Sequence, residues 1–342
     1  MREVETIVRA GLGTRYTGAV LRVERAGRAV FEGAYGALDD GPRAREVDVT
    51  TRFDLASLTK VFVATAALTL VATGKLHLDA PLRQHLPEWN APPQARITLR
   101  MLLAHTGGLR SGADYRSLFA EDVERFALSR ALVDEPGRRV IYSDLGFIVL
   151  GTLLARVAGE SLASLVGAQL AILGCRDTAY RPRNDEPGRF PATEEDAWRG
   201  RVRGAVHDEK AYLMHGVAGH AGLFGTARDV AALAEVFLAA AHGRFSRALE
   251  PALAREAVAE WGPDAVLRRG LGWALKTTNE NSCGTAMSRS TFGHTGFTGT
   301  CLWADPESDL SVVLLTNAVY FGRHDLRDVR AAVCDACVAQ FR

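Results

Sequence analysis

The chain has 342 residues, 47% hydrophobic and 24% charged, which excludes a disordered or fibrous polymer and leaves room for a large buried core. Lys and Arg number 41 against 40 Asp and Glu, a net charge of +1, so there is no field to gather nucleic acid or an anionic membrane; a small-molecule or short-peptide substrate is expected. Five scattered cysteines (Cys175, Cys283, Cys301, Cys334, Cys337) suggest no disulfide framework and agree with a reducing compartment.

Charge interrupts every apolar run in MREVETIVRAGLGTRYTG, so residues 1–10 read as a short helix and not as a signal peptide, and the chain as given is expected in the cytoplasm. GAVLRVERAGRAVFEGAYG reads as two strands joined at a turn around Ala26 and Gly27. In FDLASLTKVFVATAALTLVATGK, residues 53–75, a helix runs from Ser57 to about Thr73, and Gly74 is positioned to close it. Its apolar run, residues 61–73, is too short to span a bilayer.

From Leu76 to Gly204 the pattern is helical pieces and polar loops, including ITLRMLLAHTGGL, a helix expected to stop at Gly107 and Gly108. HGVAGHAGLFGTARDVAALAEVFLAAA is a glycine-dense passage followed by a helix whose start carries a capping box, Thr226 with Asp229. Strands return in GLGWALKTT, STFGHTGFTGTCLWADP and LSVVLLTNA, and a helix from about Asp325 closes the chain, with Cys334 and Cys337 upon it. Strands at both ends and helices between them imply an α+β fold, an α/β sandwich. One antiparallel sheet is built from both ends of the chain and flanked by helices, with a helical region inserted. The whole, 1–342, reads as one domain: about 1–75 and 222–342 carry the sheet and 76–221 is helical.

No G-x-S-x-G elbow, H-E-x-x-H, G-x-x-x-x-G-K or G-x-G-x-x-G is present. The chemistry gathers in three other places. Ser57 and Lys60 stand three apart at the head of a helix, on one face, where free N–H groups favour negative charge. A serine hydroxyl needs such a neighbour to become a nucleophile, and a lysine among apolar residues needs a use. Tyr142 opens VIYSDLGFIVLG, and a phenol beside a cationic lysine can shuttle protons. His294-Thr295-Gly296, in FGHTGFTG, sets two hydrogen-bonding side chains beside a glycine that lets a ligand approach the backbone. Each alone has an ordinary structural explanation: a cap and a solvated lysine, a half-buried aromatic, a strand with a surface histidine.

In this order the three resemble the serine β-lactamase-like group: penicillin-binding D-alanyl-D-alanine peptidases, class C β-lactamases and related carboxylesterases. That group pairs S-x-x-K with Y-x-N and a K-T-G or H-T-G strand. ITLRMLLAHTGGL, GLFGTARDV and the strands leading to LLTN agree, so the resemblance covers essentially the whole chain. It implies a β-lactamase/transpeptidase-like fold, a serine hydrolase working through an acyl-enzyme, and no metal or organic cofactor. It further implies Ser57 as the acylated nucleophile, Lys60 as its activating partner and Tyr142 as the proton carrier. The backbone N–H groups of Ser57 and Phe297 would form an oxyanion hole, with His294 and Thr295 lining the leaving side.

Two departures bear on the substrate. Asp144 stands where Y-x-N has Asn; a carboxylate cannot donate to a substrate carbonyl, and it should hold Lys60 charged, leaving Tyr142 as the base. His294 stands where penicillin-targeting members often have Lys, weakening any grip on a substrate carboxylate. Both favour an esterase or amidase over an efficient β-lactamase. Reading Ser143-Asp144 as the S-D-N of class A enzymes ranks second, since position 145 is Leu. AVHDEKAYLMHGVAGH places His207, Asp208, His215 and His220 within fourteen residues; without a helical H-x-x-x-H spacing it reads as a loop bordering the cleft and not a metal site. Similar stretches occur in amidase-like members acting on cell-wall fragments, which makes a muropeptide amidase one alternative; a non-catalytic ligand-binding or assembly role for the cleft is another.

Overall fold

The computed structural model describes residues 2–112, 114–182, 189–264, 266–278 and 281–341. After α1 (Arg2–Ala10), strands β1 (Gly18–Arg25) and β2 (Arg28–Gly36) form a hairpin. It turns at Ala26 and Gly27, whose positive φ values of 50° and 71° give the two left-handed residues that match the twist of its strands. Strand β3 (Phe53–Asp54) leads through a 3₁₀ turn at Ala56–Leu58 into α2 (Thr59–Ala72). Then come α3 (Leu99–Leu103), α4 (Val123–Ser129), α5 (Asp144–Ala158), α6 (Leu162–Leu173), the short strands β4 (Ala179–Tyr180), β5 (Glu195–Asp196) and β6 (Gly200–Arg201), and α7 (Glu209–Leu213). The rest is β7 (Leu223–Gly225), α8 (Ala227–Ala241), α9 (Pro251–Ala257), β8 (Ala274–Leu275), β9 (Phe292–Thr295), β10 (Cys301–Asp305), β11 (Leu310–Thr316) and α10 (Arg327–Phe341).

Six strands make the main sheet, in the order β2-β1-β11-β10-β9-β8, every pair antiparallel. Both faces are covered, which is why β11 is buried along its whole length. Val20, Leu302, Val313 and Leu315 pack with α2 and α8 residues such as Phe62 and Phe237 into the larger core. Their alternates Leu21, Val23, Trp303, Val312 and Leu314 pack with Val4 and Val8 of α1 and Val333 and Cys337 of α10. Each fully buried Leu, Val or Phe contributes roughly 1.5–3 kcal/mol, and two such layers hold the sheet between helices.

Three details differ from the sequence reading. Within residues 76–221, read as helical, β4 pairs with β7, which pairs with β3, so a three-stranded sheet ties that region to the approach to Ser57. Helix α3 ends before the two glycines, because His105 adopts a left-handed φ of 59°. The capping box is half made: the Thr226 side chain accepts from the Asp229 N–H (3.3 Å), while the Asp229 carboxylate turns away to Asp177 N–H (2.8 Å) and the Thr178 hydroxyl (2.9 Å). That carboxylate tethers the chain entering β4 to α8.

Candidate active site

The turn that carries Ser57 is held in a strained form. Ala56 has a φ of 46°, a left-handed conformation costing a non-glycine residue of order 1–3 kcal/mol unless its surroundings impose it. Buried Asp54 imposes it: one carboxylate oxygen accepts from the Ala56 N–H (2.8 Å) and the other from the His207 N–H (2.6 Å). The result presents Ser57 to a cleft of about 810 Å³, also lined by Tyr142, Asp144, Asp208, Lys210, Arg269, His294 and Phe297.

Lys60, the second residue of α2 and one turn beyond Ser57, has a fully buried side chain. Its Nζ donates to Ser57 Oγ (3.0 Å), Asp144 Oδ1 (2.8 Å) and the His220 carbonyl (3.1 Å). Three donors meet three acceptors, the inventory of an ammonium and not of a free amine. Burial works to lower its pKa, but the Asp144 carboxylate and the Tyr142 phenol outweigh it, so Lys60 stands above its ordinary value. Tyr142 Oη lies 2.9 Å from Ser57 Oγ, and the Lys60 Nζ sits 4.9 Å from the centroid of the Tyr142 ring.

Tyr142 and Asp144 reach this place through the AHTGG segment. The left-handed His105 accepts the Ser143 N–H on Nδ1 (3.1 Å), takes the Ile141 N–H on its carbonyl (2.8 Å), and packs its ring 4.7 Å from Tyr142. Ser143 caps α5 by accepting the Gly146 N–H (2.9 Å), so Asp144 falls in the first helical turn, where the helix dipole favours its charge.

Asp144 is also one end of a longer charge network that local spacing did not reveal. Lys210 Nζ lies 3.5 Å from Asp144 Oδ2 and 3.0 Å from Asp208 Oδ2, and Asp208 Oδ1 is 2.8 Å from His220 Nε2. Burial pushes both carboxyls up, but Lys60 with His220 and Lys210 overcomes it at Asp144, and His220 and Lys210 overcome it at Asp208, so both are held below the usual carboxylate range. Of the four residues grouped by sequence, Asp208 and His220 therefore join this network, and His207 lines the same cleft. His207 turns to Glu194 (2.7 Å), and the His215 carbonyl accepts from Arg181 Nε (2.5 Å) at a separate hollow. Ligand atoms of Asp144, Asp208 and His220 lie within 4.8 Å of one another, as a metal would require, but both carboxylates are already paired with ammonium groups. His220 is delivered by the glycine-dense passage pressed against α5: a Cβ on Gly219 would stand 1.9 Å from the Phe147 carbonyl oxygen.

The strand β9 closes the other wall. A Cβ on Gly296 would lie 2.1 Å from Thr300 Oγ1 and 2.7 Å from the Leu55 carbonyl, so only glycine lets the strand pass this close to the turn before Ser57. Thr298 and Thr300 donate to the Asp54 (2.8 Å) and Leu55 (3.2 Å) carbonyls, pinning the two segments. The N–H groups of Ser57 and Phe297 meet no backbone carbonyl among the described residues. Thr295 lines the cleft, and the Phe297 ring, 57% exposed, stands at its mouth with His207 stacked against it. His294 is buried and neutral: burial first, then the charges of Arg269 and Lys60, push it down to about 3. Its Nδ1 lies 2.8 Å from the Thr295 carbonyl and must carry the proton, so Nε2 offers a lone pair.

Comparison with known proteins matches the sequence profile of the β-lactamase family to residues 4–335. The chain is 30% identical to the N-acetylmuramyl-L-alanine amidase of Bacillus subtilis (strain 168), over 93% of this chain and 80% of that protein. It is 31% identical to a putative D-alanyl-D-alanine carboxypeptidase of Escherichia coli (strain K12), over 88% of this chain and 78% of that one. The structure of EstCE1, a hydrolase with promiscuous acyltransferase activity, superposes with a TM-score of 0.78 at 25% identity, covering 97% of this chain and 98% of that one. This chain belongs to the β-lactamase family.

Proposed function

We propose that the protein hydrolyses a carboxylic ester or amide through an acyl-enzyme on Ser57. One observation carries this reading: Ser57 Oγ lies within hydrogen-bond reach of both Lys60 Nζ (3.0 Å) and Tyr142 Oη (2.9 Å). Lys60, with its donors spent, supplies positive charge rather than a lone pair. Tyr142, reacting as its phenolate beside the Lys60 ammonium, takes the Ser57 proton and becomes the neutral phenol as Oγ bonds to the substrate's carbonyl carbon. The N–H groups of Ser57 and Phe297 receive the oxyanion, a donor pair of which each member is worth ~3–4 kcal/mol in such sites. Tyr142 then protonates the departing alcohol or amine as the C–O or C–N bond breaks. Water repeats the sequence against the acyl-enzyme, with Tyr142 accepting its proton and Ser57 regaining its own.

Neutral His294 and anionic Asp144 weigh against strong β-lactamase activity. The amidase and carboxypeptidase relatives favour an amide within a peptidoglycan-derived muropeptide over a plain ester as the natural substrate. Five buried, unpaired cysteines support a reducing, cytoplasmic workplace. The test is to incubate wild type and Ser57→Ala with a fluorophosphonate and with a chromogenic short-chain ester. Wild type should gain one phosphonyl adduct by intact mass and turn over the ester, and Ser57→Ala should do neither. An unmodified wild type would sink the hydrolase reading, and an active Ser57→Ala would move the nucleophile elsewhere.

A further inference from the structure

Arg330, in the first turn of α10, is only 7% exposed, a guanidinium taken almost wholly out of water. Burial of that kind costs several kcal/mol unless the charge is put to use. Asp325 acts on it through its field and not by a hydrogen bond, its carboxylate being paired with Arg327 (2.7 Å). The bond Arg330 does make runs from Nη2 to the carbonyl of Gly296 (2.8 Å), a residue of the catalytic cleft.

That carbonyl is one end of the peptide group whose other end is the Phe297 N–H, and resonance holds the two in a plane. The Gly299 N–H (3.1 Å) takes its second lone pair, and the Gly296 N–H donates to the Thr300 carbonyl (2.8 Å). The carbonyl end is therefore fully bonded, while the N–H end meets no backbone carbonyl among the described residues. Ser57 offers a contrast. Its N–H belongs to the peptide whose Ala56 carbonyl accepts the Thr59 N–H at the head of α2, so a helix end aligns that donor. Phe297 follows a strand instead. A charge-assisted bond is roughly twice as strong as a neutral one, and bonds made through one peptide strengthen each other by about 10–30%. A cation on the carbonyl thus draws electron density from the nitrogen and makes the N–H a better donor.

Resting on the hydrolase reading above, we propose that Arg330 is a positioning residue for the oxyanion: it fixes and polarises the Gly296–Phe297 peptide, so that the Phe297 N–H is set to receive the oxygen that turns negative in the transition state. Arg330 acts through that peptide and not on the substrate. Helix α10 supplies by one side chain what the turn at Ser57 supplies by its backbone.

The experiment compares a chromogenic short-chain ester with its thionoester, whose sulfur is a weak hydrogen-bond acceptor. Arg330→Gln should lower kcat for the oxygen ester by ~10- to 100-fold with KM within about twofold, a loss short of deleting the donor outright. The thionoester should slow less than about threefold, because it draws little on that donor. Arg330→Lys keeps a charge at the carbonyl and should show the same pattern in smaller measure. Both esters slowing by one factor, or KM rising with kcat unchanged, overturns the proposal. A second measurement is independent of turnover: 15N-phenylalanine labelling of Ser57→Ala, with the Phe297 amide resonance assigned by its loss in Phe297→Leu. Removing the donor from the preceding carbonyl in Arg330→Gln should move the Phe297 nitrogen upfield, and Arg330→Lys should move it less. A resonance that stays in place overturns the proposal. An upfield shift in a protein whose wild type hydrolyses neither ester upholds Arg330 as the residue that sets the Phe297 N–H, and overturns only the hydrolase reading.

Discussion

Replacing Asp144 by Asn removes one charge from a buried pair and nearly nothing in volume. Asp144 Oδ1 lies 2.8 Å from Lys60 Nζ, with side-chain exposures of 21% and 0%. Coulomb's law at an effective dielectric of about 20 gives roughly 6 kcal/mol at that distance. Losing one partner of a buried pair costs ~3–5 kcal/mol after relaxation, and Asn still accepts a hydrogen bond, so about 3 kcal/mol is expected. For a chain of 342 residues that is a melting temperature lower by roughly 4 °C at pH 7. In wild type the Lys60 pKa is raised, so its contribution is complete below the ordinary lysine value of 10.5 and is lost only as pH climbs through the higher folded value. In Asp144→Asn, burial is no longer opposed by that carboxylate, and the folded pKa drops below the ordinary one. The unfolded chain then binds more protons, and the variant recovers stability as pH rises. Thermal melts of both proteins from pH 7 to pH 10 should therefore show the gap narrowing. A gap that stays constant, or no gap at pH 7, refutes the assignment of Lys60 as an ammonium held by Asp144.

Two further outcomes follow from the same geometry. Tyr142→Phe deletes only the hydroxyl 2.9 Å from Ser57 Oγ, so kcat should fall ~10²–10⁴-fold with the melting temperature little changed; a loss under tenfold in steady-state kinetics would place the base elsewhere. Gly219→Ala drives a Cβ to 1.9 Å from the Phe147 carbonyl and should cost several kcal/mol or abolish folding, whereas Gly167→Ala in α6, with open space around it, should stabilise by about 0.5–1 kcal/mol; equal denaturation midpoints for the two would contradict the close passage.

What could be read from the sequence was what local spacing encodes. The Ser57-Lys60 pair is three residues apart on one turn, the hairpin carries its turn residues, and the strands of the main sheet announce themselves by apolar runs. Nearness in sequence misled where the fold divides neighbours. His207, Asp208, His215 and His220 looked like one group, yet only Asp208 and His220 join Lys60 and Asp144, the others being carried off by Glu194 and by a separate hollow. Lys210 and Arg330 had no motif at all. Lys210 matters because two carboxylates from distant segments converge on it, and Arg330 because its bond falls on the carbonyl of Gly296, 34 residues earlier. The two-residue strands β4 to β6 hold no alternation long enough to detect.

The pairing of β1 with β11, register Ala19 opposite Thr316, has a consequence for how the protein comes into being. On the ribosome the first hairpin emerges long before the strand that will complete it, and contacts this distant in sequence form slowly. A chain stopped before β9 would hold Ser57, Lys60 and Tyr142 but neither Gly296 nor the N–H of Phe297. On the mechanism proposed above, synthesis itself acts as a safety catch: Ser57 is made early, and the backbone N–H of Phe297 assigned to its oxyanion arrives only with the final strands.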